Sequence, residues 1–383
     1  EHRNWQPGAP SGLLSPPKDG SWPLETPSPI PMKTITCLLL SPLALFGTTI
    51  STDYTAERSL RVERVMTVSS EVVDMVMVVD GEEREGGFGG GGANERELTI
   101  TTIDKVLAHD EGAPTKVQRT LETISLEGSM TFRDEPQDFE RSSESEGLVL
   151  ILSLAENGDL EVEIKDGDEP EGVDFASLLM TQEIDALLSG EELDEGDSWD
   201  LDAEALVAGL GLGLEGALFG RAERTEERGE RGERGGGGRR GGGGGRSGFN
   251  GAAMSNLDWE GEATWTDKTE DVDGVECIVI SLEIEAEGTL PEREFGGRGG
   301  RGGGGGLWSP LGINSTSALE TSVELELEGQ LLWSIKEQRA VSLSLSGDFV
   351  QDMERNMSRG DREVSMSSTT EGEIEIEVTI SAD

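Results

Sequence analysis

Several segments of this chain alternate apolar and polar residues with a period of two. The clearest lie at 160–164, 323–328, 341–346 and 374–380, where Leu, Val and Ile alternate with Glu, Ser and Thr. A period of two places apolar side chains on one face of a strand and polar ones on the other. One apolar and one wet face are typical of antiparallel sheets. The pattern therefore predicts a mainly β protein, a large curved antiparallel sheet arranged as a half-barrel or a sandwich.

Turn signals and further apolar runs extend this prediction. Asn157-Gly158 and Asp273-Gly274 each stand between two strand candidates and predict tight hairpins. The run at 72–79 is apolar at both parities, so we expect it to lie centrally in the sheet. Further strands are predicted at 60–68, 71–79, 97–107, 116–132 and 329–335.

Helix signals are few. Asp174 is placed to cap a helix over 174–189 that Gly190 would end, and we expect this helix to cover the apolar face of the sheet. A weaker candidate starts at Asp202 and covers 203–208, whereas 209–220 is too rich in glycine for a firm helix prediction. The first helix would present Ala176, Met180, Ile184, Leu187 and Leu188 on one side.

Three glycine-rich stretches interrupt the strand pattern, at 86–92, 221–248 and 296–306. Such compositions bury too little apolar surface to order themselves, so we interpret them as disordered loop expansions. The Arg/Glu/Gly-rich linker at 221–250 divides the chain into β halves at 52–220 and 251–383, the second interrupted by the insert at 296–306. The halves form either two β lobes or one large sheet.

The region that begins at Met32 predicts an export signal. Met32-Lys33 precedes a nearly continuous apolar run at 35–46, and small residues follow. This is the layout of a secretory signal peptide, here 32–51, with cleavage before Thr52. The run is shorter than the ~20 residues that span a bilayer. The proline-rich residues 1–31 are interpreted as non-native upstream sequence or as a disordered leader.

The charge balance excludes some partners. The chain has 78 acidic and 31 basic residues, a net charge of −47. Nucleic-acid binding needs clustered cationic side chains to neutralise phosphates, so no nucleic-acid partner is predicted. No integral membrane segment is predicted after signal cleavage. The acidity indicates either a salt-tolerant exported protein or a genome that prefers Arg to Lys.

Residues that usually carry catalysis are scarce. After signal cleavage the chain keeps one histidine, His109, in a loop that looks solvated, and one cysteine, Cys277, whose apolar neighbours predict a buried structural thiol. One ligand of each type argues against a zinc site. Carboxylates are so abundant that no pair stands out as a glycosidase pair. We therefore assign no catalytic, cofactor-binding or metal-binding residue, and we predict no cofactor and no enzymatic activity.

Three weaker motifs are better explained structurally. The sequence at 211–216 matches G-x-G-x-x-G, but no parallel-sheet pattern surrounds it. Asp271 and Asp273 lack the ligand spacing of a calcium loop and fit a hairpin turn. The Arg-Gly repeats resemble RNA-binding segments, but on so acidic a chain weak self-association is the better interpretation.

One set of short motifs carries a resemblance. EGDSWDL at 195–201, GEATW at 261–265 and GQLLWS at 329–334 occur in that order. Over residues 145–350 this order resembles uncharacterised exported β-rich proteins of planctomycete-like and related bacteria. The resemblance implies a periplasmic or secreted protein, with no catalytic residues to carry over. The amphipathic strands also look like the open-barrel carriers of lipoproteins and lipids.

The leading functional hypothesis is a non-enzymatic envelope protein. One-sided strands without catalytic residues favour a sheet that binds an apolar ligand or an envelope protein on its concave face. Two alternatives stay open: a structural surface or matrix protein that assembles through its glycine-rich loops, and a hydrolase that uses carboxylates alone.

Overall fold

The computed structural model describes 48–54, 59–84, 93–110, 112–132, 135–155, 157–173, 175, 178–219, 254–290, 317–359 and 362–383. All of them belong to one compact unit, Phe46–Asp383. The predicted leader at 1–31, the apolar core of the predicted signal peptide and the glycine-rich stretches lie outside the described residues.

Long β-strands make up most of the described chain. The first nine are β1 (Thr48–Thr49), β2 (Ser59–Val79), β3 (Glu82–Arg84), β4 (Ala93–Asp110), β5 (Ala113–Phe132), β6 (Glu135–Ser142), β7 (Val149–Leu154), β8 (Leu160–Asp166) and β9 (Glu192–Leu193). After β10 (Ser198–Leu201) come the helices α1 (Ala203–Gly209) and α2 (Leu214–Phe219), then β11 (Asp258–Val272), β12 (Val275–Leu290), β13 (Ser317–Ser334), β14 (Arg339–Arg359) and β15 (Arg362–Ala382).

Thirteen of these strands form one antiparallel sheet. Its order is β10-β11-β12-β13-β14-β15-β2-β4-β5-β7-β8, with β3 beside β2 and β6 beside β5, while β1 and β9 form a separate pair. The two predicted halves supply two meanders of one sheet, joined where β15 pairs with β2, except that β10 of the first half lies beside β11 at the edge of the second meander. The mainly β, antiparallel fold is confirmed, and the sheet ends at two edges without closing on itself.

Both predicted hairpins are present. Asp273 and Gly274 join β11 to β12 with φ angles of 53° and 82°, and Gly158 in the β7–β8 turn has a φ of 87°. Left-handed residues of this kind match the twist of the strands on either side.

The predicted strands at 60–68 and 71–79 are one continuous strand, β2. The segment at 72–79 pairs with β15 on one side, but on its other side, within the described ranges, only Met77–Val79 pair, with the short strand β3, so it does not lie centrally as expected. It is not buried, because Val73 is 50% and Met75 is 39% exposed. The inference from two-sided apolarity to a central position was therefore wrong here.

The predicted helix at 174–189 is wrong. Among its described residues, Glu183–Leu187 form a 3₁₀ turn and Phe175 has the same local conformation, whereas Gln182 and Leu188 are extended. The spacing of the apolar residues was correct in part, because Ile184 and Leu187 are buried. The helix does not form because the Gln182 N–H donates to the Tyr54 hydroxyl instead of entering a helical ladder.

The weaker candidate at 202–208 is confirmed as α1. Asp202 caps it, since its side chain accepts a hydrogen bond from the Ala205 N–H at 2.8 Å. Helix α2 was missed, because its glycine-rich approach argued against a helix. Donors from the β6–β7 region satisfy its last carbonyl groups: the Ser145 hydroxyl bonds to Leu218 O at 2.9 Å, and Arg141 Nη2 to Phe219 O at 3.0 Å.

The hydrophobic core lies on one face of the large sheet, which we call the inner face. Both helices, the 3₁₀ turn and Ile50 belong to the same core cluster as the apolar side chains of this face. Burial beneath these elements removes the apolar stripe from water, the main favourable contribution to folding. The predicted cover of the apolar face is therefore built from short pieces instead of one long helix.

Candidate functional site

The inner face has two parts that differ in how they are covered. The proximal part ends at Val68, Phe349 and Ile374, the last core-cluster residues on β2, β14 and β15. The distal part comprises the inner-face positions beyond them, within 319–321, 351–355, 364–370 and 72–79. The two parts share the same strands, so the difference between them lies in the elements packed on top.

A buried ion pair lies within the proximal part. Arg119 binds Asp104 through two hydrogen bonds, Nε to Oδ1 at 2.8 Å and Nη2 to Oδ2 at 2.6 Å, and Gln182 Nε2 donates to the same carboxylate at 2.7 Å. Burial alone would lower the pKa of Arg119, but the carboxylates of Asp104 and Glu183 outweigh it and raise that pKa. Arg119 therefore remains charged inside the core.

A second buried arginine joins this cluster. Arg64 Nη1 donates to Leu210 O at 2.8 Å, and its Nη2 lies 3.8 Å from Glu183 Oε2. Glu183 also faces Arg119, at 3.5 Å from Nη1. Burial lowers the pKa of Arg64, which Glu183 partly restores. The ion pairs of Glu183 connect the 3₁₀ turn to β2 and β5, and the hydrogen bond to Leu210 O connects the end of α1 to β2.

The segment 48–54 lies against the 3₁₀ turn. Ile50 is fully buried, and its amide donates to Glu191 O. Farther on, the Thr52 hydroxyl donates to Asp185 Oδ1 at 2.5 Å, and the Tyr54 hydroxyl donates to Asp185 Oδ2. One carboxylate therefore holds this segment through two hydroxyl groups.

Asp185 has a perturbed acidity. Burial, reinforced by Glu183, raises its pKa to about 6 despite the hydrogen bonds from Thr52 and Tyr54. Burial and the nearby Asp185 charge also raise the pKa of Tyr54. A pocket of about 260 Å³ opens beside these groups. A shifted carboxyl group in a pocket is a common feature of catalytic acids. Here both carboxylate oxygens are engaged by protein hydroxyls, which indicates a structural role.

The distal part carries an unusual set of side chains. Along neighbouring strands, Thr321, Met353, Ser368 and Met75 form one row, and Leu319, Arg355, Met366 and Met77 form the next. Met130 lies on the inner face near the distal end of β5. Among the described residues, the core cluster includes none of these methionines. The distal part is thus a methionine-rich surface in which Arg355 lies between Leu319 and Met366.

The opposite, outer face is strongly acidic. Glu260, Glu285, Glu326, Asp348 and Glu373 lie side by side on five consecutive strands. Directly opposed like charges destabilise a sheet by some tenths of a kcal/mol per pair. Within the described ranges, no group of three or more His, Cys, Asp or Glu side chains is arranged to hold a metal ion.

The other residues considered from the sequence have clear places. His109 is exposed at the end of β4. Cys277 is buried and unpaired, as predicted, and burial raises the pKa of its thiol. Asp271 accepts a hydrogen bond from the Gly274 N–H at 2.9 Å and therefore stabilises the hairpin turn. The G-x-G-x-x-G match connects α1 to α2.

Sequence reasoning missed both parts of the inner face as candidate sites. The parity of the strand could have found Arg64, because it occupies an apolar position of the alternation between Val62 and Met66. The distal part had a compositional signal, since four of the ten methionines lie there: Met75, Met77, Met353 and Met366.

Comparison with known proteins adds no assignment, since no protein-family model and no curated protein sequence matches this chain.

In the ranges that the structure describes, none of the helices has the length and apolarity needed to cross a membrane.

Proposed function

We propose that this chain is a non-enzymatic exported protein that binds an apolar ligand on the distal part of its inner face. The observation that supports the proposal is that partly exposed methionines lie side by side on neighbouring strands of that part. They extend the apolar face beyond the packed core. A sheet surface of this kind spans about 20 Å along the strands and about 15 Å across them.

Methionine suits such a surface. Its unbranched, polarisable side chain adapts to ligands of irregular shape, and methionine-rich surfaces are common at promiscuous binding sites. Met75 is 39% and Met130 is 37% exposed, so both present apolar area to solvent. In the proximal part, the buried ion pairs and the carboxylate of Asp185 already bind other protein groups. We therefore propose the distal part as the ligand-binding surface.

The proposal is tested with Nile red, a neutral apolar probe, and with native mass spectrometry of protein purified from its own host. We expect the probe to bind with a blue-shifted emission, and the native protein to carry an apolar small molecule. Met77→Asp places a charge on the inner face and should abolish both signals.

Val76→Asp is the matched control, because Val76 is the neighbouring residue on β2 and points to the outer face. It should leave probe binding intact. Equal loss in both variants, or no probe binding by the folded wild-type protein, would overturn the proposal.

Export is a separate part of the proposal. The sequence predicts a signal peptide at 32–51 with cleavage before Thr52, and we propose an earlier cleavage site. The full burial of Ile50 favours a cleavage site before Thr48, because cleavage after Ser51 would remove a core residue. N-terminal sequencing of protein from the culture medium or periplasm tests this: a mature start at Thr52 contradicts it, and retention of the intact chain in the cytoplasm contradicts export.

A further inference from the structure

We infer that the distal part selects anionic amphiphiles, molecules with one apolar chain and a carboxylate or phosphate head. This inference rests on the proposed function and deepens it by naming the chemical class of the ligand. The head group would bind at Arg355, and the chain would lie along the methionines.

The position of Arg355 carries the inference. It lies on the inner face of β14, directly between Leu319 on β13 and Met366 on β15. Met77 follows in the same row. The side chain is partly exposed, so a ligand can reach it. An anionic amphiphile complements this arrangement, because its head group can bind the cation while its apolar chain contacts the surrounding apolar side chains.

Two hydroxyl residues lie in the row beside Arg355, but Thr321 is only 7% and Ser368 6% exposed, so the head group is expected to bind Arg355 and not these hydroxyls. Thr321 and Ser368 flank Met353 in the adjacent row, and both belong to the same face. A guanidinium group has five N–H donors, so a head group can share it with protein partners. Hydrogen bonds between ionised groups are about twice as strong as neutral ones.

The net negative charge of the protein would by itself favour cationic ligands, so a preference for anionic amphiphiles would need a local cause. With a net charge of −47, unspecific electrostatics would favour cationic amphiphiles. In the distal rows that the structure describes, the acid on the inner face is Glu82, opposite Val79 at the far end. The neighbouring acids Asp74, Asp352 and Glu354 alternate onto the outer face. Arg84 pairs with Met77 in the same row as Arg355, so a preference for anions would report on this row, and the Arg355→Gln variant isolates the part due to Arg355.

The test compares three probes with the same chain below their micellar concentrations: dodecanoate, methyl dodecanoate and dodecyltrimethylammonium. Each is titrated by displacement of Nile red from the full chain. We expect dodecanoate to bind about tenfold more tightly than the ester, since a charge-assisted hydrogen bond contributes on that scale. The ammonium compound should bind most weakly.

Arg355→Gln should reduce dodecanoate affinity to that of the ester and leave ester affinity unchanged. Arg355→Lys should restore part of the preference. Arg61→Gln is the matched control, because it removes the same charge from the outer face and should change neither affinity. If Arg355→Gln does not fold, the wild-type selectivity among the three probes still decides the inference.

The outcomes separate the two proposals. Equal affinity for dodecanoate and its ester overturns the inference while the proposed apolar site stands. Tightest binding of the ammonium compound also overturns it, and assigns selectivity to the net charge. If none of the probes binds, the proposed function itself fails.

Discussion

The proximal and distal parts of the inner face use the same strands for different purposes. On β2, Val68 is 3% exposed, whereas Met75, seven residues farther along, is 39% exposed. Both are apolar residues on the same face of one strand. The difference arises because the core elements end at the level of Val68 and Phe349. Cover by other elements, more than strand sequence, decides which apolar surface becomes core.

Polar residues show the same contrast. In the proximal part, Arg64, Arg119 and Asp104 are buried and paired with one another or with Glu183. In the distal part, Arg355 also has an interaction partner, but it is partly exposed to solvent between Leu319 and Met366. Buried charges require partners, because water no longer solvates them. Substitutions in the proximal part are therefore expected to lower the free energy of unfolding more than substitutions in the distal part.

The largest effect is expected at the buried ion pair. Asp104→Ala should lower the free energy of unfolding by about 3–5 kcal/mol, because it leaves Arg119 charged and unpaired inside the core. Asp74→Ala, an exposed acid on the distal segment of β2, should change it by about 0.5 kcal/mol or less. Urea denaturation measures both values. Comparable losses would show that the two parts are equally constrained.

A smaller but related contrast is expected within β14. Leu345 is 1% exposed in the proximal part, so Leu345→Ala should cost about 2–5 kcal/mol through lost burial and a cavity. Met353 lies on the same face of the same strand but outside the core cluster. Met353→Ala should therefore cost only about 1 kcal/mol. Thermal and urea unfolding of both variants check this, and a larger loss at Met353 would place the distal part inside the core.

The free energy of unfolding should depend on pH through Asp185, the carboxylate that binds Thr52 and Tyr54. Burial raises the pKa of Asp185 from its ordinary value of 3.8 to about 6. Between these values the folded state binds more protons than the unfolded state, so this contribution is fully present below pH 3.8 and is lost as pH rises to about 6.

Relative to Asp185→Asn, the wild-type protein should therefore lose about 2 kcal/mol between pH 4 and pH 7. The comparison between the two proteins cancels the many other carboxylates, and urea denaturation across this range measures it. A difference that does not vary with pH would show that Asp185 titrates normally and is not desolvated.

The strands could be predicted from the sequence because burial of one face of a strand produces a period-two alternation of apolar and polar residues. The alternations at 323–328 and 374–380 correspond to strand segments whose apolar residues are buried and whose Glu residues are exposed. The hairpin at Asp273-Gly274 was equally readable, because its left-handed residues are a local requirement.

The parts that failed depend on distant contacts. The spacing of Ile184 and Leu187 fitted a helix, but Tyr54 takes the Gln182 amide and Asp185 holds Thr52. These partners are more than a hundred residues away in sequence. The distal part was missed for the same reason. Alternation identifies an apolar face, but only the positions of the helices show how far the cover extends.

The smallest expected effect on stability follows from oxidation of the distal methionines. Dilute hydrogen peroxide should convert Met75, Met77 and Met353 to sulfoxides well before Met66, because oxidation requires access to the sulfur. Met66 lies on the same strand as Met75 but is only 7% exposed. Because the distal side chains lie outside the core cluster, their oxidation should lower the free energy of unfolding by less than about 1 kcal/mol.

Peptide mass spectrometry at successive times gives the order of oxidation, and Nile red titration of the oxidised protein gives its consequence. A sulfoxide is polar, so binding should fall even though the fold persists. Bound dodecanoate should slow oxidation at the distal sites and leave Met66 unaffected. Simultaneous oxidation of Met66 and Met75 would mean that the core opens as readily as the distal surface, and the distinction between the two parts would then fail.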